Sequence, residues 1–148
     1  MNNLRGVKKV CDILFRAKAI NRDKGYHKTT YKNGDWVYGL VTRLYDERFE
    51  NLPAEMTDIN GVSGIEVDYK TIGQFTGLID NNGNDIFEGD VVDYISSDVI
   101  GNPKTGTIIV EDMTDYDTMI YLNHSDELQI IGNIHDNPDI LKGGEDNG

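Results

Sequence analysis

The fold is decided by residues 71–92, whose sequence is TIGQFTGLIDNNGNDIFEGDVV. Asn82 and Gly83 stand near its centre, between the apolar residues 75–79 and a second apolar segment that begins at Ile86. Asn-Gly tolerates the positive φ angles that a type I′ turn needs at both central positions, so this pair predicts a β-hairpin. Asp90 follows a Glu-Gly pair, which predicts a turn into a further strand with the Asp90 carboxylate accepting backbone N–H groups.

The sequence on the N-terminal side of this stretch contains two further Asn-Gly pairs, at residues 33–34 and 60–61, which predict turns of the same kind. Around the first pair we predict two paired strands, and apolar and acidic residues alternate at residues 65–69 as in a half-buried strand. A closing turn is expected at residues 137–141, because Pro138 suits a first helical position. The predicted strands are residues 12–19, 29–31, 36–41, 65–69, 75–79, 91–95, 105–110, 118–122 and 128–134, with 105–110 and 118–122 as a pair.

Length and composition restrict the class of protein. A chain of 148 residues that is 38% hydrophobic forms about one domain or two small lobes with a true core. The single cysteine, Cys11, excludes a disulfide framework within one chain and any zinc site built on several cysteines. No apolar run approaches the length of a membrane span, and the start of the chain does not match a secretion signal, so we expect a cytoplasmic protein.

The formal net charge of −12 is unevenly distributed. Residues 1–74 contain 12 basic and 10 acidic side chains, whereas residues 75–148 contain 2 and 16. The first 32 residues alone contain nine basic side chains against two acidic ones. This segment, which we call the basic head, has the charge needed to bind a polyanion. The other interpretation is that it docks against the acidic half of its own or a neighbouring chain. We favour docking, because an acidic body repels nucleic acid, and head-to-tail association of copies is one form of it.

Aromatic residues interleave with the basic ones in this head. Small β-barrels hold single-stranded nucleic acid by stacking bases on exposed rings beside basic side chains, and this pattern predicts a candidate nucleic-acid site. The interpretation that we favour over this site places the two rings of the second strand, Trp36 and Tyr38, in the core as cross-strand pairs. The candidate nucleic-acid-binding residues are Arg16, Lys18, Arg22, Lys24, Lys28, Lys32, Trp36 and Tyr38.

Catalytic and metal-binding patterns are weak in this sequence. The acidic loop that starts at Asp80 has Asp85 and Val91 where an EF-hand needs Gly and Glu. His27, His124 and His135 are far apart in sequence and form no metal-ligand motif. We therefore expect no enzyme, no cofactor and no metal ion; a metal-dependent hydrolase built from the many carboxylates of the second half is a distant alternative.

Residues 71–78 together with 80–92 resemble the central signature of the YopX-like family of phage and prophage proteins. Residues 13–18 (ILFRAK), 33–39 and 131–138 are similar to further segments of that family, in the same order. The resemblance implies a mainly all-β fold with N-terminal β-hairpins and a C-terminal SH3-like small barrel, and it implies no activity. The expected organisation is a flexible leader at 1–11, an N-terminal β-rich lobe at 12–69, the barrel at 70–141 and a disordered tail at 142–148.

These observations predict an accessory protein of a phage or prophage that acts in the cytoplasm of its bacterial host. The leading hypothesis is a non-enzymatic protein-binding or oligomeric scaffold module, whose partner is another copy or a host protein. A nucleic-acid-binding module that uses the basic N-terminal segment is the alternative.

Overall fold

A computed structural model of the protein describes residues 13–21, 31–44, 53–97, 100–112 and 114–140. The chain divides into two compact units, which we call the N-terminal unit, Met1–Ile72, and the C-terminal unit, Gly73–Gly148. Residues 1–11, which we predict to be a flexible leader, and the predicted tail at 142–148 lie outside the described residues.

The N-terminal unit contains a four-stranded antiparallel sheet with the spatial order β4-β3-β2-β1. A 3₁₀ turn, Tyr69–Thr71, follows the last strand. The strands are β1 (Phe15–Lys18), β2 (Trp36–Arg43), β3 (Ala54–Asp58) and β4 (Ile65–Val67).

One face of this sheet forms the core of the unit, because side chains alternate between faces along each strand. Ala17 and Val37 are cross-strand partners and both are fully buried. The buried cluster is Ala17, Ala19, Val37, Ala54, Met56, Ile65 and Val67.

The C-terminal unit contains a two-stranded ladder of β5 with β6 and a three-stranded antiparallel sheet with the order β8-β7-β9. The single helix among the described residues, α1, packs Leu122 into a core to which β6 and one face of the three-stranded sheet contribute. That core contains Ile86, Val92, Val110, Leu122 and Leu128. The elements are β5 (Gly73–Ile79), β6 (Asp85–Phe87), β7 (Asp90–Ser97), β8 (Pro103–Ile109), α1 (Tyr116–His124) and β9 (Glu127–Asn133).

The main predictions from residues 71–92 are confirmed. The protein is mainly β, and Gly83 occupies the turn between β5 and β6 with a φ of 84°. The buried Asp90 carboxylate accepts a hydrogen bond from the Phe87 N–H at 2.8 Å. The all-β class agrees with the prediction, but the strands of the described residues form antiparallel sheets that do not close into the expected SH3-like small barrel.

Residues 118–122, predicted as a strand paired with 105–110, are part of helix α1 instead. The Asp115 carboxylate caps the helix by accepting hydrogen bonds from the Asp117 N–H and the Thr118 hydroxyl. This capping satisfies N–H groups that a helix start leaves without partners, and it outweighs the β-propensity of the apolar residues that follow. Strand β8 pairs with β7, whose other edge pairs with β9.

The strand pairing around Gly34 also differs from the prediction. Tyr31 lies outside any strand, and residues 29–30 lie outside the described residues. The strand that follows the turn, β2, pairs with β1 instead. Turn residues predict where the chain reverses direction. They do not predict which strand pairs with which, because pairing depends on which strands bury their apolar faces together.

Two hairpin turns share one hydrogen-bonding arrangement, in the sequences Asp58-Ile-Asn-Gly-Val and Asp80-Asn-Asn-Gly-Asn. In each, one aspartate Oδ1 accepts hydrogen bonds from the N–H groups two and four residues later, at distances of 2.8–3.0 Å. The second carboxylate oxygen reaches outside the turn, to the Tyr31 hydroxyl from Asp58 and to the Ile130 N–H from Asp80. Each aspartate therefore ties its turn to a more distant part of its own unit.

The contact between Tyr31 and Asp58 shifts the pKa values of both groups. Hydrogen bonds, led by the one from the Val62 N–H, hold the pKa of Asp58 below 3.8. Burial of the phenol, the hydrogen bond to Asp58 and the nearby negative charges raise the pKa of Tyr31 to about 12. A raised folded-state pKa contributes stability that is complete below the ordinary tyrosine pKa of 10.0 and is lost as pH rises toward 12.

We expect the Tyr31→Phe variant to lose less thermal stability on alkaline titration than the wild type. Folding opposes deprotonation of the Tyr31 hydroxyl, and phenylalanine has no hydroxyl to deprotonate. The melting temperature of the variant therefore declines less steeply as pH rises. Circular dichroism melts across the alkaline range measure this difference. Tyr69→Phe is the control, because Tyr69 is exposed in the same unit and should keep the wild-type decline; equal slopes for all three proteins contradict the prediction.

Candidate functional site

One candidate surface is the sheet face of the N-terminal unit that points away from its core, which we call the aromatic face. It contains Arg16, Lys18, Trp36, Tyr38 and Leu40. Lys18 pairs with Trp36 and Arg16 pairs with Tyr38, so strand alternation places all four side chains opposite the buried Ala17-Val37 pair. The Arg16 Cζ lies 4.5 Å from the Trp36 ring centroid and the Lys18 Nζ lies 5.5 Å from it.

Exposure divides the aromatic face into a closed part and an open part. Arg16 is only 6% exposed, so its guanidinium stabilises the indole through a cation–π contact and offers little surface to a phosphate. Tyr38 is 37% exposed and Leu40 is 52% exposed. The open part therefore consists of the Tyr38 ring and the Leu40 side chain, and the half-buried Lys18 lies diagonally across from Tyr38.

The structure brings together four of the eight residues predicted to bind nucleic acid, Arg16, Lys18, Trp36 and Tyr38. Lys32 lies in the turn before β2, where its N–H donates to the Asp35 carboxylate at 2.8 Å. The remaining three, Arg22, Lys24 and Lys28, lie outside the described residues. Their contribution to this surface stays a prediction.

The second candidate surface is a cavity of about 330 Å³ on the three-stranded sheet of the C-terminal unit, which we call the acidic groove. It is lined by two cross-strand rows centred on Asp93 and Ile95 of β7 and by the row between them, which contains Gly106, Tyr94 and Leu128. Asn81 lies beside it, where the Asn81 N–H donates to the Leu128 carbonyl of β9. The first two rows are Thr107-Asp93-Gln129 and Thr105-Ile95-Glu127.

Two carboxylates and no basic side chain line the acidic groove. Asp93 and Glu127 occupy diagonal positions on neighbouring strands, and the Thr107 hydroxyl donates to the Asp93 carboxylate at 2.6 Å. Lys104, the only basic side chain among the described residues of this unit, pairs with Ser96, so strand alternation directs it to the opposite face. The groove therefore favours a cation.

Sequence reasoning missed the acidic groove. The alternation of Asp93 with Ile95 and of Glu127 with Gln129 is visible in the sequence and predicts residues on one face of each strand. The groove appears only when β9 pairs with β7. The sequence predicted no partner for residues 91–95, and it predicted that residues 105–110 pair with 118–122. The sequence pattern that places these residues on one face of each strand was present. Where those faces meet in the fold depended on which strands pair.

The Asp80 carboxylate has a structural role. Burial alone would raise its pKa, but the N–H groups of Asn84, Ile130 and Asn82 donate to it and together hold its pKa below 3.8. Both oxygens are occupied by backbone donors. A carboxylate in this state is a poor proton acceptor and a poor metal ligand, because either role requires it to release these bonds.

The described residues contain no group of three or more His, Cys, Asp or Glu side chains arranged to hold a metal ion. His124 lies in the last turn of α1, and His135 lies in the turn after β9. Within the same residues, no helix has the length and apolarity needed to cross a bilayer.

Comparison with known proteins agrees with the resemblance found in the sequence. A family model described as YopX protein matches residues 14–142, which is most of the chain. No curated protein and no solved structure matches the chain.

Proposed function

The chain belongs to the YopX protein family, and on that premise we propose that it is a non-enzymatic protein-binding module of a phage or prophage. It acts in the cytoplasm of the bacterial host by presenting its acidic C-terminal unit to a basic surface, on another copy or on a host protein.

The observation that carries this proposal is the match between charge and architecture. The boundary between the two units at residues 72–73 is also the boundary between a nearly balanced part of the chain and a strongly acidic one. The N-terminal unit has 12 basic and 10 acidic side chains, and the C-terminal unit has 2 and 16. A unit with this charge attracts basic partners and repels polyanions, which favours association with protein surfaces of opposite sign.

The roles of the buried carboxylates support a binding function over a catalytic one. Asp58, Asp80 and Asp90 all accept backbone hydrogen bonds that hold turns in place. The carboxylates of the acidic groove, by contrast, lie on a sheet face with Ile95, which is 38% exposed. A mixed apolar and acidic surface is the composition expected for recognition of a basic side chain.

Nucleic-acid binding is the second candidate, because the aromatic face combines an exposed Tyr38 with Lys18 beside the Trp36 ring. Rings flanked by cations bind single strands by stacking and by phosphate contacts. The burial of Arg16 reduces the positive charge available on this face, and the acidic unit opposes approach of a polyanion.

Light scattering and affinity capture after nuclease treatment test the two candidates together. The proposed function predicts self-association, or capture of an identified basic host protein, without nucleic acid and with weaker binding at higher salt. The nucleic-acid alternative predicts that a fluorescent oligonucleotide binds at low salt and is lost in Lys18→Glu, with Lys70→Glu as the matched control in the same unit. A monomer that binds the oligonucleotide and captures no protein overturns the proposed function.

A further inference from the structure

The lining of the acidic groove favours an occupant of positive charge. Asp93 and Glu127 stand on diagonal positions of β7 and β9, with the partly exposed Ile95 beside Glu127 in the same row. A long basic side chain suits this arrangement, because its aliphatic stem packs on Ile95 while its charged end approaches both carboxylates.

The protein itself covers the other end of this sheet face. Val91, two residues before Asp93 on β7, is fully buried and pairs with Gly132 of β9. The closing turn lies over that pair, since Asn137 and Ile140 have atoms 2.7 Å and 3.0 Å from where a Cβ on Gly132 would stand. The groove begins where this cover ends, so a docked segment would extend the cover along the same face.

We propose that the acidic groove binds the basic side chains of residues 1–9 from a second copy of the protein. This segment contains Arg5, Lys8 and Lys9 and no acidic residue, so its charge is opposite to that of the groove. Three basic side chains within five residues allow one to enter a cavity of about 330 Å³ while the others face the surrounding acidic surface.

The inference rests on the proposed function and specifies its partner. The segment and the groove are different surfaces of the same chain, so their contact between copies is heterologous and joins head to tail. Such an assembly closes into a ring or adds further copies, and its strength depends on protein concentration and on salt.

The experiment is analytical ultracentrifugation of the full chain at low salt, with variants on both sides of the contact. We expect Asp93→Asn/Glu127→Gln and Arg5→Glu/Lys8→Glu/Lys9→Glu each to weaken self-association at least about tenfold. Asp85→Asn/Glu111→Gln is the matched control, since it removes the same two charges from exposed positions outside the groove and should associate like the wild type. Circular dichroism melts establish that every variant is folded.

Mixing distinguishes contact between copies from contact within one chain. The groove variant keeps an intact basic segment and the segment variant keeps an intact groove, so an equimolar mixture should form a heterodimer that neither forms alone. If the mixture does not associate, or if the control variant loses as much self-association as the groove variant, the inference is wrong. Undiminished association of the groove variant also overturns it, and leaves the proposed function standing with a different surface. A wild type that stays monomeric overturns the inference as well, while capture of a basic host protein would still support the proposed function.

Discussion

Replacing Gly39 with alanine is expected to destabilise the N-terminal unit by about 4 kcal/mol or more, the range reached by severe packing errors. Gly39 lies in β2, where a Cβ would clash with the Thr57 carbonyl oxygen of β3. The obstacle is backbone in a paired strand, so relief requires the β2-β3 ladder to separate. Urea denaturation followed by Trp36 fluorescence measures the effect, because Trp36 begins the same strand.

Leu40→Ala is the control for this prediction. Leu40 is the next residue of β2 and is 52% exposed, so its truncation should change stability by about 0.5 kcal/mol or less. A Gly39→Ala protein as stable as Leu40→Ala would show that the two strands are not as close as the structure has them.

The second large loss of stability is expected when Asp80 is replaced with alanine. The Asp80 carboxylate is 5% exposed and accepts hydrogen bonds from the N–H groups of Asn82, Asn84 and Ile130, so Asp80→Ala leaves three donors without their acceptor. We expect a loss of about 3 kcal/mol at neutral pH, from hydrogen bonds to a charged group and from desolvated donors. Urea denaturation of the C-terminal unit, followed by circular dichroism, measures it.

The pH dependence of this loss has a definite sign. The pKa of Asp80 is lowered by folding, so its contribution is complete above the ordinary value of 3.8 and is lost as pH falls through the lower folded-state pKa. The difference between wild type and Asp80→Ala should therefore narrow in acid. Asp85→Ala, at an exposed position of β6, is the control and should lose little at any pH; a loss equal to that of Asp80→Ala would remove the role assigned to the Asp80 hydrogen bonds.

Local chemistry allowed several elements to be predicted from sequence. The hairpin of β5 with β6 follows from Asn82-Gly83, and the role of Asp90 follows from the Glu-Gly pair before it. Both depend on residues within a few positions of one another, for which backbone conformation and short-range hydrogen bonds are sufficient. Helix α1 was not predicted, because its start depends on the Asp115 cap and its apolar residues suit a strand equally well.

The two candidate surfaces also differ in how far the sequence could predict them. The aromatic face was anticipated from the bases and rings at residues 16–38, yet the burial of Arg16 against Trp36 is visible only in the folded chain. The acidic groove needed the pairing of Asp93 with Gln129 and of Ile95 with Glu127 across more than 30 residues of chain. Long-range pairing depends on the packing of whole sheet faces, which no local pattern contains.

The amino-acid sequence by itself determined that this protein is mainly β, where its chain turns, and that its second half is acidic, because turn chemistry and charge are properties of neighbouring residues. The tertiary structure alone decided that the strands form open sheets, that residues 118–122 are helical, and that two carboxylates line one groove. These outcomes depend on burial and strand partners, which exist only once distant segments have packed together.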